Sequence, residues 1–112
     1  MDAIERIKSQ ISSSQVLLYM KGTPQFPQCG FSGQAVQILQ ACETEFGYFN
    51  IFEDPEIREE LKVYSNWPTF PQLYISGELV GGSDIMMELY QTGELKKMIT
   101  AAVTGEITAQ DG

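Results

Sequence analysis

The chain has 112 residues, of which 43% are apolar and 20% charged, and it carries a formal net charge of −8 with no histidine. The composition is typical of one globular domain, and the acidic balance argues against a nucleic-acid partner, because phosphate binding needs clustered Lys and Arg. The lack of histidine excludes His-based zinc sites and hydrolytic triads with a histidine base. Since no apolar run is long enough for a membrane span and the N-terminus lacks a signal pattern, we expect a cytoplasmic protein.

Hydrophobic periodicity predicts the elements of the first half of the chain. Isoleucines at helical spacing predict a helix over 2–12, and an unbroken apolar run predicts a strand over 16–20 that is buried on both faces. A loop with glycine and proline follows over 22–28. It leads into a long amphipathic helix, predicted from Cys29 to Phe46, with Gly47 as its stop.

The second half alternates strands and helices in the same way. Asp54 and Pro55 predict a helix start, as N-cap and first helical residue. The predicted elements are a strand over 48–52, a helix over 55–64, a loop over 65–71, strands over 72–75 and 79–80, a helix that begins at Ser83-Asp84, and a helix over 94–102. We therefore predict one domain over residues 1–103 and a polar tail over 104–112, which we expect to be disordered.

The order of these elements predicts the fold. The first strand–helix–strand unit favours a parallel pair with a right-handed crossover, and the last two strands favour an antiparallel hairpin. The predicted fold class is thus α/β, with a four-stranded mixed sheet and helices on both faces. With a cysteine at the first strand–helix junction and a proline just before the third strand, this is the pattern of a thioredoxin-like domain.

Cys29 is the candidate reactive residue. Its predicted place at a helix N-terminus puts it among unpaired backbone N–H groups and at the positive end of the helix dipole, which lower a thiol pKa. Lys21, at the end of the preceding strand, can add a positive charge. A lone cysteine can instead be buried and inert, but Gln28 and Gly30 in a proline-containing loop favour exposure.

The other cysteine, Cys42, falls on the apolar stripe of the same helix and is predicted to be a core residue. It cannot form a disulfide with Cys29, because that length of helix separates them by ~20 Å, and a disulfide needs Cα atoms within about 7 Å. Dithiol redox proteins carry a resolving cysteine three residues after the first, where this chain has Ser32. Cys29 must therefore react with, or share a ligand with, a group from outside the chain.

Three further positions are candidates for ligand binding. Arg58 can converge with Lys21 on an anion beside Cys29, or lie on a solvated helix face. Ser83-Asp84 can bind a carboxylate at a helix N-terminus, or simply cap the helix. In Thr69-Phe70-Pro71, a cis bond before the proline would leave the Phe70 backbone available to pair with an extended ligand.

Four motifs in order resemble the monothiol glutaredoxins of the Cys-Gly-Phe-Ser type, in particular their single-domain bacterial members. The motifs are Lys21-Gly22-Thr23-Pro24, Cys29-Gly30-Phe31-Ser32, Trp67-Pro68-Thr69-Phe70-Pro71-Gln72-Leu73 and Gly81-Gly82-Ser83-Asp84. The likeness covers about residues 4–102. One departure is Ser83, where many relatives have cysteine.

The resemblance implies a thioredoxin fold with a cis bond before Pro71. It also implies that Cys29 ligates a 2Fe-2S cluster shared between the two subunits of a homodimer, with two glutathione thiols completing the four thiolates. BolA-like proteins and apo iron–sulfur client proteins are the implied partners. The implied glutathione-binding residues are Lys21, Cys29, Arg58, Thr69, Phe70, Pro71, Ser83 and Asp84.

Three functions are compatible with these residues. The first is an iron–sulfur carrier that passes a labile cluster to other proteins. The second is a glutathione-dependent thiol–disulfide oxidoreductase that removes glutathione from mixed disulfides, for which one thiol of low pKa suffices. The third is a thioredoxin-like interaction module with a vestigial site. If the protein is an iron–sulfur carrier, we expect any oxidoreductase activity to be weak.

Overall fold

The computed structural model describes residues 2–104, and its elements follow the predicted order. They are α1 (Ala3–Ile11), β1 (Val16–Met20), α2 (Gly30–Ala41), β2 (Gly47–Asn50), a 3-10 turn (Ile51–Glu53), α3 (Pro55–Ser65), β3 (Gln72–Ile75), β4 (Glu78–Gly81), α4 (Ser83–Thr92) and α5 (Glu94–Thr104). Thr104 ends α5, and the rest of the predicted tail, 105–112, lies outside the described residues. No helix within 2–104 is long and apolar enough to cross a bilayer.

The strands form one mixed sheet in the order β2-β1-β3-β4. β1 pairs in parallel with β2, and the crossover between them contains α2. β1 and β3 are antiparallel, as are β3 and β4. The prediction of a four-stranded mixed sheet with a C-terminal hairpin is therefore confirmed.

The complete burial of β1 comes from two cores, one on each face of the sheet. Val16, Leu18 and Met20 pack with buried residues of α2, α4 and α5. Leu17 and Tyr19 alternate with them and pack with α1 and α3 on the opposite face. Helices thus cover both faces, as predicted, and the edge of the sheet where β1 ends lies between them.

α2 is shorter than predicted. The helix ends at Ala41, and Glu43 beyond it adopts a left-handed conformation with φ 59°. Phe46 still packs against the core from the following loop, so its spacing imitates a further helical turn. Gly47 is the first residue of β2 rather than a helix stop, and a Cβ there would lie 2.5 Å from the Ser14 hydroxyl oxygen.

The predicted second strand also runs too far at its C-terminal end. Pairing with β1 stops at Asn50, and Ile51–Glu53 form the 3-10 turn. The Asn50 side chain caps this turn, since its Oδ1 accepts hydrogen bonds from the N–H groups of Phe52 and Gly22, both at 3.0 Å. The second of these bonds fixes the loop that follows β1. The other boundaries differ from those predicted by at most two residues.

Candidate functional site

Cys29 lies at the N-cap of α2, as predicted, and is half-buried. The first intrahelical bond runs from the Gly33 N–H to the Cys29 carbonyl at 3.0 Å. The Cys29 side chain makes no capping hydrogen bond, so the N–H groups of the first turn remain available around the sulfur. This is the environment that the sequence predicts for a reactive thiol.

The pKa of the Cys29 thiol is lowered, although burial acts to raise it. The opposing causes are the backbone N–H and hydroxyl of Ser32, the backbone N–H of Phe31 and the positive charge of Lys21. All of them stabilise the anion through hydrogen bonding or charge. The predicted contribution of Lys21 to the thiolate is therefore supported.

Ser32 is a part of the site whose role the sequence did not indicate. It is fully buried, and its hydroxyl accepts a hydrogen bond from the Lys21 backbone N–H at 3.0 Å. The side chain therefore ties the end of β1 to the first turn of α2 while it also favours the Cys29 thiolate. In the sequence, the only indication that Ser32 belongs to the site was that it stands where dithiol proteins have the resolving cysteine.

The loop before Cys29 is closed tightly on itself. The Gln28 N–H donates to the Lys21 carbonyl at 2.8 Å, and Thr23 and Phe26 exchange backbone bonds at 3.0 and 3.3 Å. Gly22 has φ 93°, and a Cβ there would lie 2.5 Å from the Phe26 carbonyl oxygen, so only glycine fits. This closure holds the start of α2 close to the end of β1.

A cleft of about 330 Å³ opens beside the thiol. It brings together most of the predicted ligand-binding residues from four separate segments of the chain. Its lining consists of Lys21, Cys29, Phe31, Trp67, Thr69, Phe70, Pro71, Gly82, Ser83, Asp84 and Ile85. Phe31, Trp67, Gly82 and Ile85 were not predicted as site residues, although three of them lie inside the quoted motifs.

One wall of the cleft is the segment Thr69-Phe70-Pro71. The Phe70–Pro71 bond is cis, as the resemblance implies. The Phe70 side chain is buried, whereas its backbone N–H and carbonyl have no hydrogen-bond partner within residues 2–104. An extended peptide can pair with such a backbone as a neighbouring strand would.

The start of α4 forms an adjoining wall. Gly82 is its N-cap and no side chain caps it, so Ser83 and Asp84 are the first two helical residues. The predicted helix start is confirmed, and the alternative in which Ser83-Asp84 simply cap the helix is wrong. Proximity to the helix start does not make a cap, since the cap must have non-helical backbone and its side chain must reach back to the N–H groups. The first intrahelical bond joins the Met86 N–H to the Gly82 carbonyl at 3.0 Å, which leaves earlier N–H groups open to a ligand.

Arg58 is the one predicted site residue that does not line the cleft. It is half-buried on α3, with its guanidinium carbon 5.8 Å from the centre of the Phe52 ring. Its Nε is buried without a partner in the described part of the chain. Its predicted convergence with Lys21 therefore stays a prediction.

Trp67 contributes an indole to the cleft, and its Nε1 is likewise buried without a partner among residues 2–104. A Cβ at Gly82 would lie 3.6 Å from this nitrogen and 3.3 Å from the Pro71 carbonyl oxygen. A side chain at Gly82 would therefore crowd the junction between the two walls. One indication of this role was present in the sequence, namely a tryptophan next to Pro68 in a loop that was predicted to carry ligand-binding residues.

Cys42, in contrast, takes no part in the cleft. It is buried at the C-cap of α2 with 6% exposure, so its predicted core position is confirmed. Burial raises the pKa of its thiol, and the charge of Lys96 offsets this only in part.

The cleft offers groups for charges of both signs, since the Asp84 carboxylate lines it as well as Lys21. Two helix N-termini without side-chain caps, those of α2 and α4, border it together with the Lys21 ammonium group. Within residues 2–104 Lys21 forms no ion pair. Anionic groups can therefore approach Lys21 and the two helix N-termini, and a cationic group can approach Asp84.

The described residues offer no ready-made metal centre. No group of three or more His, Cys, Asp or Glu side chains in 2–104 is close enough to hold a metal ion. A single chain thus contributes one accessible thiolate at most, and further ligands would have to come from outside it.

Comparison with protein families gives a match to the glutaredoxin model over residues 16–80. Glutaredoxin 4 of Escherichia coli strain K12 is 58% identical over 96 residues, which is 86% of this chain and 84% of that protein. Glutaredoxin 4 of Pasteurella multocida is 54% identical over 99 residues, with 88% and 91% covered. The chain is similar to these proteins along most of their length.

Among solved structures, reduced apo poplar GrxS14 superposes with a TM-score of 0.79 at 48% identity, covering 90% of this chain and 93% of that one. The fold is therefore shared as well as the sequence, and the thioredoxin-like architecture predicted above is confirmed.

Proposed function

This chain belongs to the glutaredoxin family, which uses glutathione, and we propose that it binds glutathione in the cleft beside Cys29. Glutathione is a short extended peptide with one thiol, two carboxylates and one ammonium group. The thiol would lie next to Cys29, and the peptide backbone would pair with the open N–H and carbonyl of Phe70. The cleft charge supports this orientation, because one carboxylate would meet the N-terminus of α4 and the other would lie towards Lys21.

We further propose that the bound glutathione completes the ligand set of a 2Fe-2S cluster that bridges two copies of the chain. Such a cluster takes four thiolates. Each chain offers Cys29, whereas Cys42 is buried, so two chains supply two thiolates and two glutathione molecules supply the rest. The observation that carries this proposal is an accessible thiol of lowered pKa with serine, not cysteine, at position 32.

The cluster role extends to partners. A cluster held by one protein ligand per chain and by exchangeable glutathione would be labile, which suits delivery to apo iron–sulfur proteins. Replacement of one copy by a BolA-like protein would give a mixed complex. A cytoplasmic location belongs to the same proposal.

Anaerobic reconstitution tests the cluster role. Protein incubated with iron, sulfide and glutathione should give a coloured dimer, recorded as a visible absorption spectrum together with the size-exclusion volume. Omission of glutathione is the matched control and should give little colour. A colourless monomer in the complete mixture would contradict the proposal.

The lowered pKa of Cys29 also supports a second activity, removal of glutathione from protein mixed disulfides. The Cys29 thiolate would attack the glutathione sulfur of the mixed disulfide, forming a Cys29–glutathione disulfide and releasing the protein thiolate. A second glutathione thiolate would attack that disulfide, producing oxidised glutathione and restoring Cys29. No second thiol of this chain is required.

A glutathionylated peptide assay distinguishes the two activities. The cluster role predicts slow turnover in this assay. Ser32 does not decide the matter, because the exchange described above needs no resolving thiol. Turnover as fast as that of dithiol glutaredoxins measured in the same assay would make the oxidoreductase the principal function.

A further inference from the structure

We propose that Gln72, which does not line the cleft, is a positioning residue for glutathione. Its side-chain amide holds the loop from Trp67 to Pro71 in the shape that presents the Phe70 backbone to the ligand. This inference rests on the proposed glutathione site and assigns a role to a residue behind that site.

Gln72 uses every hydrogen-bonding group of its side chain. It is fully buried at the first position of β3. Its Nε2 donates to the carbonyls of Trp67 at 3.0 Å and of Thr69 at 3.2 Å. Its Oε1 accepts from the Tyr74 hydroxyl at 3.1 Å. The two carbonyl acceptors and the one hydroxyl donor together fix which way the amide points.

The position of this amide is unusual for the core. The residues that follow it in β3 are buried hydrophobic or aromatic side chains, namely Leu73, Tyr74 and Ile75. A buried amide is tolerated only when its hydrogen-bond partners are in place. The free-energy penalty of an unpaired buried amide exceeds the net stabilisation that its hydrogen bonds provide. An aliphatic residue would meet the packing requirement equally well, so the amide serves the loop carbonyls.

A second anchor holds the N-terminal end of the same loop. The Trp67 N–H donates to the Ser65 hydroxyl oxygen at 3.1 Å, while that hydroxyl donates to the Leu61 carbonyl at 2.7 Å. Burial raises the pKa of Tyr74 to about 12, with the Ser65 hydroxyl acting in the opposite direction, so Tyr74 stays protonated and can donate to Gln72. Both ends of the loop are therefore fixed to the body of the domain.

The anchored carbonyls flank the residue that carries the proposed ligand contact. Thr69 is held by Gln72, whereas the N–H and carbonyl of the adjacent Phe70 are unpaired within 2–104. Without Gln72 the loop would sample other shapes, and binding would have to restore the productive one at an entropic cost. The thiol would be unaffected, because the groups that lower its pKa are Ser32, Phe31 and Lys21.

The test is Gln72→Met, which keeps side-chain length and removes both donors. Reduced glutathione is titrated by calorimetry, and Cys29 is titrated in parallel by its rate of alkylation against pH. We expect glutathione to bind about tenfold more weakly, as loss of hydrogen bonds that order a binding segment predicts, with the pH profile of alkylation unchanged. A dissociation constant within twofold of the wild type, or a shifted alkylation profile, would overturn the positioning role.

Two tyrosine variants keep the test decisive if Gln72→Met does not fold. Tyr74→Phe removes the donor to Gln72, and Tyr19→Phe is its matched control, since the buried Tyr19 hydroxyl donates to Gln10 at 2.8 Å instead. We expect Tyr74→Phe to weaken glutathione binding about threefold and Tyr19→Phe to leave it unchanged. Equal effects would overturn the inference. Wild-type protein that fails to bind glutathione would overturn the proposed function as well.

Discussion

The two ends of α2 place identical thiols in opposite environments. Cys29 at the N-terminus is half-buried, borders a cleft and has a lowered pKa. Cys42 at the C-terminus is 6% exposed, packs in the core and has a raised pKa. The helix dipole adds to this difference, because it favours an anion at the first turn and disfavours one at the last.

The difference shows that position, not residue type, decides which cysteine is chemically active. The first-turn N–H groups and the buried Ser32 hydroxyl reach only the thiol at the N-terminus. At the other end the thiol meets apolar neighbours, and Lys96 does not compensate for burial. The contrast therefore yields measurable differences in ligand binding, reactivity and pH dependence.

The largest expected effect comes from exchanging each cysteine in turn. Cys29→Ser should abolish both the cluster spectrum and the formation of a glutathione disulfide, because the thiol that borders the cleft is lost. Cys42→Ala should keep both within about twofold while lowering the free energy of unfolding by about 1 kcal/mol for the small cavity. Reconstitution spectra, intact mass and urea unfolding measure these quantities. Loss of the cluster in a folded Cys42→Ala variant would refute the core assignment.

A smaller effect is expected when the charge beside Cys29 is removed. Lys21→Ala should weaken glutathione binding about fivefold and raise the Cys29 pKa, because a cation that favours both anions is lost. Calorimetry and the pH profile of alkylation measure the two changes. Lys62→Ala is the control, since Lys62 pairs with Glu59 on α3 and does not line the cleft. An unchanged thiol titration in Lys21→Ala would count against the role of the lysine.

The smallest expected effect concerns how the free energy of unfolding changes with pH. The contributions of Cys29 and Cys42 to this change should have opposite signs. The folded pKa of Cys29 is below its ordinary value of 9.0, so the unfolded chain binds more protons between the two values, and wild-type stability should rise with pH there relative to Cys29→Ser. The folded pKa of Cys42 is above 9.0, so wild-type stability should fall relative to Cys42→Ala as pH increases beyond 9.0.

Urea unfolding of the three proteins between pH 6 and about pH 10 gives both comparisons. The exposure of Cys29 keeps its contribution small, because solvent screens the interactions that lower its pKa. Dependences of the same sign for the two cysteines would contradict the assignment of opposite environments.

Much of the fold could be predicted because local patterns were decisive. The unbroken apolar run of β1 indicated a strand covered on both faces, and Asp54 with Pro55 marked the start of α3. The end of α2 could not be predicted in this way, because Phe46 keeps helical spacing while packing from a loop. Gly47 instead pairs with Leu17 in the sheet, a contact between segments distant in sequence that the helical spacing does not reveal.

The sequence identified the principal residue of the site, Cys29, but not all of the residues that surround it. Cys29 stood out because a helix start, a loop and Lys21 were all readable nearby. Trp67 was missed, and Ser32 was recognised only as the replacement for a resolving cysteine. Their structural roles depend on what they meet across the fold, such as the backbone N–H of Lys21. Arg58 was assigned from its charge, and its place over Phe52 outside the cleft depends on packing that spacing does not encode.

The central claim is that one thiol per chain and one glutathione per chain together hold the cluster. Anaerobic desalting of the reconstituted dimer, followed by quantification of iron, acid-labile sulfide, glutathione and protein, measures this composition directly. We expect two iron atoms, two sulfides and two glutathione molecules for every two chains. A dimer that retains the cluster without glutathione would contradict the account. A Cys29→Ser variant that binds the cluster as well as the wild type would contradict it too.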